Sequence, residues 1–169
     1  MEAQLLEFSR STGIYGFMNS PWGWPVIESL HFIGLSLLLG TVGLFDLRML
    51  GFGKSISLAA LHRLIPFGVL GFFLNVITGI MFITTFPDQY IYNPAVQSKF
   101  LFLGLAGINM LLFYQFSFRQ VNEENPDVKA LAKAKVFALV SLLCWLGVIT
   151  GGRLITFYRP PFYWCFWCQ

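Results

Sequence analysis

Charge is scarce in this chain. Aspartate, glutamate, lysine and arginine make up only 11% of its 169 residues, against about 25% in an ordinary globular domain. A small domain leaves much of its surface wet, and this composition cannot supply a water-facing surface. Histidine occurs twice and cysteine three times, and the terminal C-x-x-C lacks partners for a four-ligand zinc site. The sequence has no phosphate-binding glycine loop, no nucleophile elbow, no H-E-x-x-H, no internal repeat and no second domain. The net charge of +3 is spread over scattered basic residues, which excludes a nucleic-acid surface. No catalytic residue is assigned.

What the chain has is apolar bulk, with 56% hydrophobic and 18% aromatic residues. Four runs are long enough to cross a hydrocarbon core, which takes about 20 residues at helical rise. They cover 26–50, 64–86, 99–118 and 135–158. The second carries no charge, the third is charged only at Lys99, and the first has His31 as its only ionisable group between Ser29 and Phe45. Helix is the expected form, because a lone strand leaves backbone groups unpaired in lipid and no barrel-like alternation is present. The expected fold is all-α, a single four-helix transmembrane bundle in a lipid bilayer. Glu2 and Glu7 stand where a signal peptide would carry bases, so residues 2–11 are expected as a short interfacial helix.

Orientation follows from lysine and arginine in the connections. Arg48, Lys54, Arg63, Arg119, Lys129, Lys133 and Lys135 belong to one side, and Arg10, Lys99, Arg153 and Arg159 to the other. Seven against four predicts both termini outside, with Trp22, Trp24, Trp164 and Trp167 at the outer interface. Small residues at helical spacing predict close helix approach at Ser36 and Gly40, Gly68 and Gly71, Gly104 and Gly107, and Gly147 and Gly151. The polar stretch 119–133 reads as an exposed cytoplasmic turn.

Ionisable groups inside a membrane are costly and tend to face the bundle interior. Glu28 and His31 lie three residues apart near the outer end of the first span and share a face. Lys99 opens the third span, and Arg153 lies about one and a half turns from the outer end of the fourth. These four groups fall in one outer layer, either as a salt-bridge network or as a binding site. Asn75, Thr78 and Asn109 sit near mid-membrane and are expected to bond between helices. Asp46, Arg48, Lys54, His62 and Arg63 form a second, inner polar layer. His31 with Met81, and His62 with Met49, are histidine–methionine pairs placed at matched depth, a combination that suits haem iron or copper. His31 is the leading metal ligand; His31 and His62 lie at opposite ends and cannot share one iron within a chain. Cys144 is expected to pack as a small apolar residue, and Cys165 and Cys168 form a C-x-x-C able to hold a disulfide outside the cell.

The run Trp24-Pro25-Val26-Ile27-Glu28-Ser29-Leu30-His31-Phe32-Ile33-Gly34, with Gly40 and Asp46-Leu47-Arg48-Met49-Leu50-Gly51, resembles a bacterial four-span inner-membrane family known as a domain of unknown function. Residues 75–79, 90–99 with Asn93-Pro94, Ala106-Gly107-Ile108-Asn109 and Gly152-Arg153-Leu154-Ile155 extend the likeness over nearly the whole chain. It implies the architecture and a bacterial inner membrane, and no activity. More distantly, His31 in the first span and Lys99 opening the third resemble HemJ-like and CopD-like membrane proteins, which implies a tendency to bind haem. Three functions stay open. The first is a b-type haem protein taking part in electron transfer, with cofactor contacts from His31, Glu28, Lys99, Arg153, Met81 and His62. The second is a non-catalytic subunit or assembly factor of a larger membrane complex, or a homo-oligomer. The third is a small transporter or proton conductor.

Overall fold

The computed structural model describes residues 1–121 and 127–158. Four long helices dominate it: α3 (Gly23–Leu50), α5 (Ile65–Thr85), α7 (Pro94–Phe116) and α9 (Val128–Leu154). Between them lie short helices, α1 (Glu2–Ser11), α2 (Ile14–Met18), α4 (Leu58–His62), α6 (Pro87–Tyr90) and α8 (Phe118–Val121). A 3-10 turn, Ile155–Phe157, follows α9. No strand occurs among the described residues. The expected N-terminal helix is α1, packed on the far end of α5, where Ser9 Oγ lies 3.4 Å from Thr85 Oγ1.

Helix starts are set by residues that need no backbone partner. Pro66, Pro87 and Pro94 stand in first turns, where the missing N–H costs nothing. Asn93 caps α7 by accepting from the Ala95 amide at 3.0 Å. At the opposite end of α3, Gly51 takes φ +105°. This lets its own N–H reach the Arg48 carbonyl at 3.1 Å while the Phe52 N–H reaches Leu47 at 3.0 Å, closing the last turn.

Two antiparallel hairpins, α3/α5 and α7/α9, join through α3 against α9. The α3/α5 register is visible in four facing pairs: Ile27 with Phe82, His31 with Thr78, Gly34 with Asn75, and Thr41 with Gly68. The backbones come closest at Gly34 and Gly71. A Cβ at Gly71 would stand 2.5 Å from the Gly34 carbonyl oxygen and 2.8 Å from the Leu38 nitrogen. In the second hairpin Gly147 receives the Phe102 ring, and Gly151 lies under Ala95 and Lys99. Gly40, Gly104 and Gly107 have nothing within contact range, and Ser36 is exposed; those positions do not mediate packing in this chain. Gly34, absent from the expected set, does.

The helices run beyond the apolar segments. The third starts at Pro94, five residues before Lys99, and the fourth at Val128, so Lys129, Lys133 and Lys135 are helical. Ala130, Ala134 and Ala138 repeat every four residues and are buried beneath α8 and the Met49–Phe113 cluster; that packing, not lipid, holds the extra turns. The expected turn therefore shortens at its far side, and Asn122, Glu123, Glu124, Asn125 and Pro126 lie outside the described residues. So do Arg159, Trp164, Cys165, Trp167 and Cys168.

Outward faces are apolar. Phe67, Leu70, Phe73 and Ile77 on α5, and Leu101, Ile108 and Leu111 on α7, are all more than half exposed. Water would penalise such continuous apolar area, whereas lipid accommodates it. Each long helix has the length and hydropathy of a membrane span.

Candidate functional site

At the end of the bundle that carries α1, α2 and α6, α3 and α5 bring His31 against Thr78. His31 Nδ1 lies 2.7 Å from Thr78 Oγ1, and that hydroxyl also sits 2.7 Å from the Leu74 carbonyl oxygen. A hydroxyl has one proton, and a carbonyl can only accept it. When Thr78 donates to Leu74 it accepts from His31 Nδ1–H, the tautomer in which Nε2 carries the lone pair. The ring is half-buried. Its outer side meets the edge of Phe82 at 5.8 Å, and Phe82 packs in turn on Trp24 and Tyr90. This aromatic wall separates the imidazole from the outer surface.

Lys99 of α7 is the charged residue of the third span at the same end of the bundle. It lies six residues into α7, deeper than a helix-opening position. The Gly151–Gly152 pair of α9 lets it sit there: a Cβ at Gly151 would touch Lys99 Cα and Cβ, and one at Gly152 would stand 3.8 Å from Nζ. Lys99 is thus seated between α7 and α9, while His31 and Thr78 join α3 to α5.

The other sequence candidates are not part of this cluster. Glu28 and Arg153 are exposed and make no side-chain hydrogen bond or ion pair; the expected salt-bridge network does not form among the described residues. Arg153 lies one residue from the end of α9, shallower than expected because the helix stops at Leu154. By the α3/α5 register Met81 is level with Glu28, a turn outward of His31, and it packs beside Met18, Ile27 and Phe82. The matched depth expected of His31 and Met81 is therefore off by that turn. Thr78 and Asn109 bond across helices as expected, Asn109 Nδ2 donating to the Phe137 carbonyl at 3.0 Å. Asn75 instead donates to Gly71 in its own helix at 2.9 Å, its amide packed against Gly34 of α3.

Asn93 was not a candidate and proves central to this end. It is fully buried. Besides capping α7, its side-chain amide donates to the carbonyls of Ile155 and Tyr158 at 3.0 and 3.2 Å. The Asn-Pro pair was the available signal: it marks a helix start, and a start bonded to the end of α9 fixes the depth of Lys99.

At the inner end, Arg48 donates from Nε to the Ile56 carbonyl at 2.7 Å, holding the connection to α4. Asp46 is 6% exposed; Ser141 on α9 faces it, and its Oδ2 has no partner. His62 lies on the far side of α3, its ring 5.2 Å from Phe118 and 6.4 Å from Tyr114. It borders a cavity of about 380 Å³ walled by Phe45, Met49, Phe113 and Phe118, with Arg63 beside it. His31 and His62 thus belong to separate sites. No group of three His, Cys, Asp or Glu able to hold a metal occurs among the described residues.

Four apolar spans with lipid-compatible outer faces define the class: the chain is a multi-pass integral membrane protein. Comparison with protein-family models, curated proteins and solved structures finds no match.

Proposed function

We propose that the chain is a b-type haem protein of the membrane, with the iron held by His31 at the outer end of the bundle. The observation that carries this reading is the His31–Thr78 hydrogen bond. An imidazole that ligates a metal through one nitrogen ordinarily donates its other N–H to a fixed acceptor, which sets the tautomer and the ring plane. In the tautomer with the proton on Nδ1, Thr78 is that acceptor and Nε2 carries the lone pair. Lys99 and Arg153, at the same end of the bundle, make no ion pair among the described residues and suit carboxylates such as propionates. The donor set fits a haem bound through one histidine; Met81, a turn away, does not complete a pair at that level. When bound, haem would supply one-electron chemistry. The chain's own part is to hold the imidazole in one tautomer, exclude water behind Phe82 and Trp24, and balance the acidic groups.

The test is a reduced-minus-oxidised visible spectrum of protein purified in mild detergent from haem-replete cells, with pyridine extraction. A b-type band that disappears in His31→Ala is expected. A colourless parent protein, or an unchanged band in the variant, would sink the reading.

A second reading has its own observation. Between α7 and α9 runs a groove of about 380 Å³ bordered by Phe102, Leu143, Gly147 and Gly151. Small residues on a membrane-facing groove suit close approach by another helix, which favours a subunit of a larger complex. Co-purification of a stoichiometric membrane partner, lost in Gly147→Leu, is the expected result on that reading; a solitary particle argues against it.

A further inference from the structure

The inner cavity lies outside everything proposed above, and its chemistry is of a different kind. Its walls are carbon: Phe45 and Met49 from α3, Phe113 from α7 and Phe118 from α8. Phe113 meets Phe45 and Phe118 edge-on, at 5.8 and 6.2 Å, so the aromatic lining is packed in place. At about 380 Å³ it falls within the range of small-molecule sites. Its polar residues are both nitrogen donors, the His62 ring and the Arg63 guanidinium.

These donors have nothing to bind within the fold. Arg63 is exposed and makes no side-chain hydrogen bond or ion pair, and His62 makes ring contacts only. Arg48, at the same end, is by contrast occupied by the Ile56 and Lys54 carbonyls. Arg119 adds a further exposed cation on α8, the helix that supplies Phe118. Among the described residues no carboxylate lines the cavity. The site therefore pairs an apolar interior with an unneutralised cationic mouth, at the level where a helix bundle leaves the hydrocarbon. Basic pockets between membrane helices at this level suit acidic headgroups.

We infer that this cavity binds one anionic phospholipid, its phosphate on Arg63 and His62 and an acyl segment against Phe45, Phe113 and Phe118. A free anion would gain nothing from the aromatic walls, and a zwitterionic lipid would bring its own cation against Arg63.

The test uses the full chain in mild detergent, incubated with phosphatidylglycerol or with phosphatidylcholine and read by native mass spectrometry. One phosphatidylglycerol per chain is expected at concentrations where phosphatidylcholine is not retained. Arg63→Gln should weaken retention about fivefold, the loss that one basic residue near a charged membrane surface represents, and Arg63→Lys should restore most of it. Because Arg63 makes no contact that the fold uses, the variants should keep the parent far-UV circular dichroism. Phe118→Ala should weaken retention of phosphatidylglycerol without creating retention of phosphatidylcholine. Equal retention of both lipids, unchanged retention in Arg63→Gln, or displacement by inorganic phosphate would each overturn the proposal.

Discussion

Thr78 shows how one hydroxyl settles the chemistry of a neighbour. It is 1% exposed and stands 2.7 Å from both the Leu74 carbonyl oxygen and His31 Nδ1. Thr78→Val keeps the β-branched shape and removes both bonds. Interhelical hydrogen bonds in membranes contribute about 0.6–1.7 kcal/mol, so the variant should lose about 1 kcal/mol of unfolding free energy in mixed micelles, with Thr78→Ser recovering it. If His31 carries haem, the same variant should also shift the reduced band or weaken haem retention, because the ring loses the acceptor that fixes its tautomer. An unfolding curve that superposes on the parent would mean the 2.7 Å contact is incidental. His31 and Lys99 were legible as members of one outer layer, and Thr78 as a mid-membrane group expected to bond between helices. The bond between His31 and Thr78 was not, since depth says which residues are level and nothing about which faces meet.

At the scale of the element, the same limit explains which glycines matter. Spacing of three or four places small residues on one stripe, but every helix has several stripes and only one faces a partner. Gly71 and Gly107 look alike in sequence, each the second member of a three-apart pair. In the fold, a Cβ at Gly71 meets backbone atoms of α3, which cannot rotate away, while one at Gly107 meets nothing. Gly71→Ala should therefore cost about 1–3 kcal/mol through overpacking. Gly107→Ala should be neutral or stabilise by up to about 1 kcal/mol, because alanine is the better helix former. Thermal unfolding of both variants in one detergent checks the contrast, and equal effects would mean that the α3/α5 crossing at Gly34 is wrong. The spans themselves were legible because lipid demands long apolar runs. The ends of α7 and α9 were not, since Asn93 and the Ala130–Ala134–Ala138 stripe hold extra turns by bonds and packing that hydropathy does not record.

For the whole molecule, the helix order divides the cations between two ends. The end that carries α4 and α8 has Arg48, Lys54, Arg63, Arg119, Lys129, Lys133 and Lys135; the end that carries α1, α2 and α6 has Arg10, Lys99 and Arg153 among the described residues. Lys99 counts for little, because it lies inside the span against α9 rather than in a connection. By the positive-inside rule we propose that α1 lies outside the cytoplasm. Trp22, 76% exposed at the start of α3, sits where aromatic residues mark an interface. The orientation decides what each site can meet: His31 would face extracytoplasmic partners, and the Arg63 cavity would open on the leaflet rich in anionic lipid. With Cys144, Cys165 and Cys168 replaced by serine, single cysteines at Ala3 and Ser55, both exposed, report the two ends. A membrane-impermeant maleimide should label Ala3→Cys on intact cells and Ser55→Cys only after the membrane is opened. The reverse pattern would put His31 on the cytoplasmic side, leave the geometry of both sites unchanged, and exchange the reactants and lipids available to them.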